Sequence, residues 1–290
     1  MTFTIITDSA SDIEPEFQES EDIRVVPTKF IFGSEEYRDT EMAREDFLNR
    51  LVSGEIATTS QPSPADFETV YLQALKDNPS KEILSIHISS KLSGTYQTGY
   101  GVISNLEEGR CEIFDTMNVT LGSGYFVYLA AYLRSKKYNL DQVLEILTKA
   151  RDKVNLQIFI EGTDYLHRSG RINLTKYLIL KNFRLRPLIS CKDGKLVTSG
   201  LAFGKKGALK KIVKKIKSYD AGPSPVLIYG HATTPEIIDE LRERTKSLNP
   251  SMTASITICN TLLSHTGVGP FGIGIAPSFD YFVKNSDKTV

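Results

Sequence analysis

Apolar residues in this chain follow two alternating periods. Short β-branched or aromatic runs recur at Phe3 to Thr7, Ile23 to Phe32, Ile83 to Ile88, Cys111 to Phe114 and Leu156 to Ile160, each of a length that suits a buried strand. Between them the spacing becomes helical. Phe67, Val70, Tyr71, Ala74 and Leu75 share one face, and Val143, Leu144, Leu147 and Ala150 share another within Leu140 to Val154. Leu121 to Leu133 is apolar on most faces and predicts a buried helix. Strand alternating with helix predicts a parallel sheet covered on both sides. Pro27 places an edge or bulge inside the second run, and Tyr37-Arg38-Asp39 reads as a polar loop beyond it. Ser63 and Asp66 have capping-box spacing with Pro64 at the first helical position, so a helix starts there.

The second half changes character. Tyr165 to Arg171 reads as a basic, glycine-containing loop, and Leu185 to Val197 as a hairpin turning at Lys192-Asp193-Gly194. Ala208 to Tyr219 is amphipathic, with Leu209, Ile212, Val213 and Ile216 opposite a row of lysines. Val226 to Tyr229 and Ala254 to Ile258 read as strands flanking a helix that starts near Pro235. Hairpins mixed with helices predict an α+β domain. We place the boundary within Leu156 to Gly162, giving an amino domain over residues 1–158 and a carboxyl domain over 159–290; 290 residues suit two cores.

Charge narrows the function. Lys plus Arg and Asp plus Glu number 35 each, so nothing global draws the chain to nucleic acid, and any electrostatic role is local. The amino end lacks a basic n-region, and no apolar run has the length of a membrane span, which predicts a cytoplasmic protein. Cys111, Cys191 and Cys259 are odd in number and far apart, as reduced thiols would be. His87, His167, His231 and His265 show no metal-ligand spacing, and we expect no metal. Gly267-Val-Gly-Pro-Phe-Gly272 matches G-x-G-x-x-G, but Ile273 to Pro277 cannot open the required helix, and no P-loop element exists. No nucleotide cofactor is expected.

The chemistry concentrates between Ile83 and Tyr100, where a strand gives way to helical spacing from Thr95 onward. Ser89, Ser90, Ser93, Gly94 and Thr95 occupy the turn. Helix-start N–H groups lack intrahelical partners, so such a turn either holds an anion or simply caps its helix. Asp8-Ser-Ala-Ser-Asp12 ends the first strand, where ligands collect in open α/β sheets; Ser9 or Asp12 capping a following helix is the alternative. Thr58, Thr59 and Ser60 have no capping duty, which leaves ligand contact or an ordinary surface turn. His265 stands beside the glycine-rich run, either structural or a ligand contact. Ser93 with His265 would also supply the nucleophile and base of a lipid hydrolase or acyltransferase, although no G-x-S-x-G elbow and no orienting third residue accompany them.

Seven motifs occur in order along the chain: Asp8-Ser-Ala-Ser-Asp12, Val25-Val-Pro27, Tyr37-Arg-Asp39, Thr59-Ser-Gln-Pro-Ser63, Ser89-Ser-Lys-Leu-Ser-Gly-Thr-Tyr-Gln97, Ser169-Gly-Arg-Ile172 and His265-Thr-Gly267. Together they resemble the DegV family, whose characterised members are the fatty-acid-binding subunits of bacterial fatty acid kinase. The resemblance implies a Rossmann-like amino domain and an α/β carboxyl domain with an acyl chain enclosed between them. It places the carboxylate on Thr59, Ser93, Gly94 and His265, with Ser60, Arg171, Thr266 and Gly267 as secondary contacts. It implies a carrier without an ATP site, whose ligand is a long-chain fatty acid and whose partner is a kinase catalytic subunit, with transient membrane contact during exchange and a role in phospholipid synthesis. Two departures stand out. Val268 follows the first glycine where the family usually has proline, and Phe203 stands where many members carry an arginine used in kinase docking. Lys205 and Lys206 are the basic residues left to serve that role.

Overall fold

A computed structural model describes residues 3–78, 80, 82–106, 109–170 and 185–286. Three sheets are present among these residues. The first is wholly parallel. It contains β1 (Thr4–Asp8), β2 (Ile23–Val26), β6 (Glu82–His87) and β7 (Arg110–Asp115) in the order β2-β1-β6-β7. The order reverses between β1 and β6, so the crevice beyond their carboxyl ends is where such sheets bind ligands. The second sheet is mixed, β10-β9-β8-β13-β11-β12, made from β8 (Asn155–Phe159), β9 (Arg186–Lys192), β10 (Lys195–Ala202), β11 (Val226–His231), β12 (Met252–Thr257) and β13 (Phe271–Ala276). This is the expected pairing of a Rossmann-like unit with an α/β unit. β8 belongs wholly to the second sheet, between β9 and β13, so that sheet begins a few residues ahead of residue 159.

Several expectations need correction. Pro27 does more than interrupt one strand: β2 and β3 (Lys29–Phe32) lie in different sheets. Tyr37 and Arg38 are in a strand, β4 (Glu35–Arg38), and Thr58 to Ser60 lie in another, β5 (Ala57–Ser60); both pair antiparallel with β3. Phe30 and Phe32 alternate onto Phe47 of α2 (Arg44–Val52), which gives this small sheet a core of its own. Of the stretch Tyr165 to Arg171, read as loop, residues 165–168 belong to α7 (Thr163–Arg168). At the start of the chain it is Asp8, not Ser9 or Asp12, that caps the 3-10 turn Ser9–Ser11, accepting from Ala10 N–H at 3.0 Å. The segment Pro15–Ser20 is α1.

Other elements follow the sequence pattern. Ser63 and Asp66 form the capping box of α3 (Pro64–Asp77), and α4 (Thr95–Ile103) starts where the strand-to-helix turn ends. The hairpin turns at Asp193-Gly194, both at positive φ. The remaining helices are α5 (Leu121–Ser135), α6 (Leu140–Ala150), α8 (Gly204–Lys217), α9 (Glu236–Thr245), α10 (Asn260–Thr266) and α11 (Phe279–Ser286).

The all-round apolar face of α5 has a physical use. It packs on β1 and β6 from one side and on β11 and β13 from the other, joining the two large sheets through one core. Glycines make the second contact possible. A Cβ on Gly230 would come within 2.7 Å of Leu121 Cδ2, and one on Gly274 within 3.1 Å of Leu121 Cβ. The glycine-rich run thus leads into a strand that must lie close to α5, not into a nucleotide loop.

Candidate functional site

A cavity of about 430 Å³ lies between the first and second sheets. Its apolar wall comes mainly from the second unit: Ile158 and Ile160 from β8 and the residues after it, Leu166 of α7, Ile189 of β9, Leu196 of β10, and Ile258 and Leu262 about the start of α10. Ile158 and Ile189 are register partners on adjacent strands, so their side chains share one face. Ile88, Leu92 and Val119 close the space from the first unit. A volume of this size with an apolar wall fits a small-molecule site.

One end of the cavity is polar. Thr59, Ser60, Ser93, Gly94, His265 and Thr266, drawn from three separate segments of sequence, all line it. The Thr59 Oγ1 and His265 Nε2 atoms are hydrogen-bonded at 3.0 Å across the junction of the two units. Ser93 Oγ pairs with Thr95 Oγ1 at 2.7 Å, and Thr95 N–H donates to it at 3.3 Å. Gly94, at the start of α4, makes no side-chain cap. Hydroxyls at the start of α4, with an imidazole from the last turn of α10 in the same lining, suit an anionic head group. Gly267 ends α10 just beyond, where an added Cβ would stand 2.9 Å from the Tyr165 ring. Arg171 lies outside the described residues.

Sequence reasoning missed part of this wall. Gln61 lines the cavity, and its Nε2 donates to Thr98 Oγ1 at 2.9 Å. It explains Gly94: a Cβ at that position would lie 1.7 Å from Gln61 Oε1. The signal was available, since Gln61 falls inside the Thr59-to-Ser63 motif. Lys91 brings the cation in the lining, and Thr28, Thr120 and Thr261 add three hydroxyls whose isolated positions gave no signal.

Two polar networks lie near the cavity. In the first, His87 Nδ1 lies 2.9 Å from Asp8 Oδ2, its Nε2 lies 2.6 Å from Ser85 Oγ, and Tyr71 OH donates to Ser85 Oγ at 2.9 Å. This has the order of a Ser-His-Asp triad, but Ser85 and His87 are completely buried, so no substrate reaches them. In the second, Asp12 is a buried carboxylate and Asp39 a partly buried one. Burial pushes the Asp12 carboxyl up to about 7, against hydrogen bonds from Thr120 and Cys259 that lower it. Burial also raises Asp39, with Thr261 and Arg44 opposing. Burial acts on the thiols in the same direction, raising Cys111 to about 11, Cys191 to about 12, and Cys259 well above its ordinary value, which disfavours the thiolate.

Comparison with known proteins gives this geometry a family. A model for the DegV family, described as an uncharacterised protein, matches residues 2–278. A DegV domain-containing protein of Staphylococcus aureus (strain COL) is 29% identical over 273 residues, covering 93% of this chain and 96% of its own. A solved structure described as fatty acid binding of a DegV family protein from Thermus thermophilus shares the fold with a TM-score of 0.87 and 28% identity, over 96% of this chain and 100% of that one. DegV from Bacillus subtilis, described as a fatty acid binding protein, has a TM-score of 0.85 at 22% identity over the same shares, a likeness of fold. This chain belongs to the DegV family.

Proposed function

We propose that this protein binds a long-chain fatty acid, with the acyl chain in the apolar cavity and the carboxylate at its polar end. The observation that carries the reading is the joining of Thr59 and His265 in the lining of a cavity with a long apolar wall, with Ser93 and Gly94 in the same lining. The Thermus thermophilus relative is described as binding fatty acid, which supports the same ligand class here. Burial of the chain supplies most of the affinity at about 0.8 kcal/mol per methylene, while the hydroxyls and the imidazole set specificity for an acid. Ser60 and Thr266 are secondary contacts in the same lining.

In this reading the protein is a cytoplasmic carrier. It presents the carboxylate to a separate ATP-dependent kinase subunit that forms the acyl phosphate, and it contacts the membrane during exchange. Ser93 acts as a hydrogen-bonding group, in keeping with its pairing to Thr95. Organic extraction of the purified protein followed by mass spectrometry tests the ligand. About one long-chain acid per chain is expected; empty protein from several growth conditions would overturn it. Mixing loaded protein with kinase subunits and ATP tests the presentation step, read as acyl phosphate formed. An acyl-serine probe that labels Ser93 would favour a hydrolase instead.

A further inference from the structure

Thr59 and Ser93 belong to the first unit, whereas His265 and Thr266 ride on α10 of the second. A polar end assembled from both requires α10 to be held in register with the first unit. Its first turn shows how. No side chain at Cys259 caps the helix. Instead the donors are taken by carboxylates from far along the chain: Cys259 N–H donates to Asp12 Oδ1 at 2.9 Å, and Thr261 donates to Asp39 Oδ1 through both its N–H, at 2.6 Å, and its hydroxyl, at 2.7 Å.

Each carboxylate is tied to the cavity wall as well. The Thr120 hydroxyl donates to the second oxygen of Asp12. The Thr28 hydroxyl, itself bonded to Ser9, donates to Thr261 Oγ1 at 2.9 Å. Thr28, Thr120 and Thr261 all line the cavity. Thr120 holds φ at 47°, a costly conformation for a β-branched residue, and its N–H is pinned to the Ala10 carbonyl at 2.9 Å. Withdrawing one carboxylate fully and a second partly from water is an expensive way to cap one helix, since a serine in place of Cys259 would do it locally. The arrangement gains something a local cap cannot: it fixes the helix to the other unit.

We propose that Asp12 and Asp39 are positioning residues that lock α10 to the first unit and so hold His265 against Thr59 at the spacing a carboxylate needs. The inference rests on the fatty-acid reading of the cavity. It predicts a specific pattern. Asp39→Ala releases the head-group donors and loosens Ile258 and Leu262, but leaves the apolar wall from β8, β9, β10 and α7 in place, so affinity for an acid falls far more than affinity for the matching alcohol. Asp39→Asn restores the acid, because an amide oxygen accepts both hydrogens from Thr261.

The test is displacement of a fluorescent fatty acid from the delipidated full chain by palmitate and by hexadecanol, together with NMR of ring-labelled histidine. Asp39→Ala and Asp12→Ala should lose about tenfold in palmitate affinity, hold hexadecanol within about twofold, and shift the His265 resonance. Equal weakening of both ligands, or an unmoved His265 resonance, overturns the proposal. Should the alanine variants fail to fold, Thr261→Val removes the hydroxyl links to Asp39 and Thr28 but keeps the N–H bond to Asp39, and must show the same split between ligands in weaker form. Wild-type protein that takes up neither ligand would sink the fatty-acid reading itself, an outcome distinct from variants that keep the wild-type preference for acid.

Discussion

Removing a single hydroxyl from the polar end should be costly, because a buried carboxylate left without a donor carries a penalty of about 1–3 kcal/mol. Thr59→Ala and Ser93→Ala are each expected to weaken fatty-acid binding by about fivefold to a hundredfold, measured by displacement of a fluorescent analogue. Wild-type affinity in both folded variants would remove them from the head-group site. Asp12 makes a prediction about pH. Unfolded, its carboxyl titrates near 3.8; folded, it titrates at about 7, so between these values the folded chain holds a proton that the unfolded chain has lost. Stability therefore falls as pH rises from about 4 to about 7 and levels off above. The groups facing Asp12 are Thr120, Cys259, Asp39 and Arg44; burial, reinforced by the Asp39 charge, outweighs the hydrogen bonds from Thr120 and Cys259. Asp12→Asn should flatten this dependence, read as urea midpoints at pH 5 and pH 8. An unchanged difference between the two pH values would assign the proton elsewhere.

Among the elements, α3 is the one whose start was legible in full, and it also shows what was not. Ser63, Pro64 and Asp66 announce the capping box through spacing alone, because every partner is local. The second duty of Asp66 is hidden in sequence. Its carboxylate also takes Lys29 of β3 at 3.0 Å and Arg38 of β4 at 2.9 Å, fastening α3 to the small sheet whose β5 carries Thr59. Those contacts hold its carboxyl well below the usual range against the opposing effect of burial. Asp66→Ala should cost about 2–3 kcal/mol, combining a lost cap with loss of the closer of the two ion pairs of a half-buried Lys29, which keeps only Glu36 at 3.4 Å. The loss, read by urea unfolding near neutral pH, should shrink as pH falls through 3.8 and the unfolded reference protonates. β4 and β5 escaped the pattern because Glu35 to Arg38 and Thr58 to Ser60 lack apolar alternation; their pairing is dictated by β3, which lies between them. β8 was seen as a strand, but its sheet depends on β13, more than a hundred residues on. The links from Asp12 to Cys259 and from Asp39 to Thr261 were out of reach for the same reason, spanning 247 and 222 residues.

For the molecule as a whole, the arrangement of charge outside the cavity sets the last expectation. Lys205, Lys206, Lys210, Lys211, Lys214 and Lys217 are exposed on α8 in a chain of zero formal charge, so the remainder is net acidic. Phe203, 70% exposed, precedes the helix. Lys205 reaches Glu161 at 3.6 Å, but both are about half exposed, and such a pair holds little energy against solvent or a partner. A basic stripe beside an exposed aromatic suits encounter with an acidic surface, which the proposed carrier role would place on a kinase subunit. Rim charges act mainly on the association rate, and salt screens them over about 10 Å at 0.1 M. Replacing Lys205 and Lys206 together by glutamate should therefore slow acyl phosphate formation several-fold at low ionic strength and leave fatty-acid affinity unchanged, because neither residue lines the cavity. The two proteins should converge as salt is raised. A double variant with the parental rate at every salt concentration would show that these lysines are a solvated face and that docking lies elsewhere.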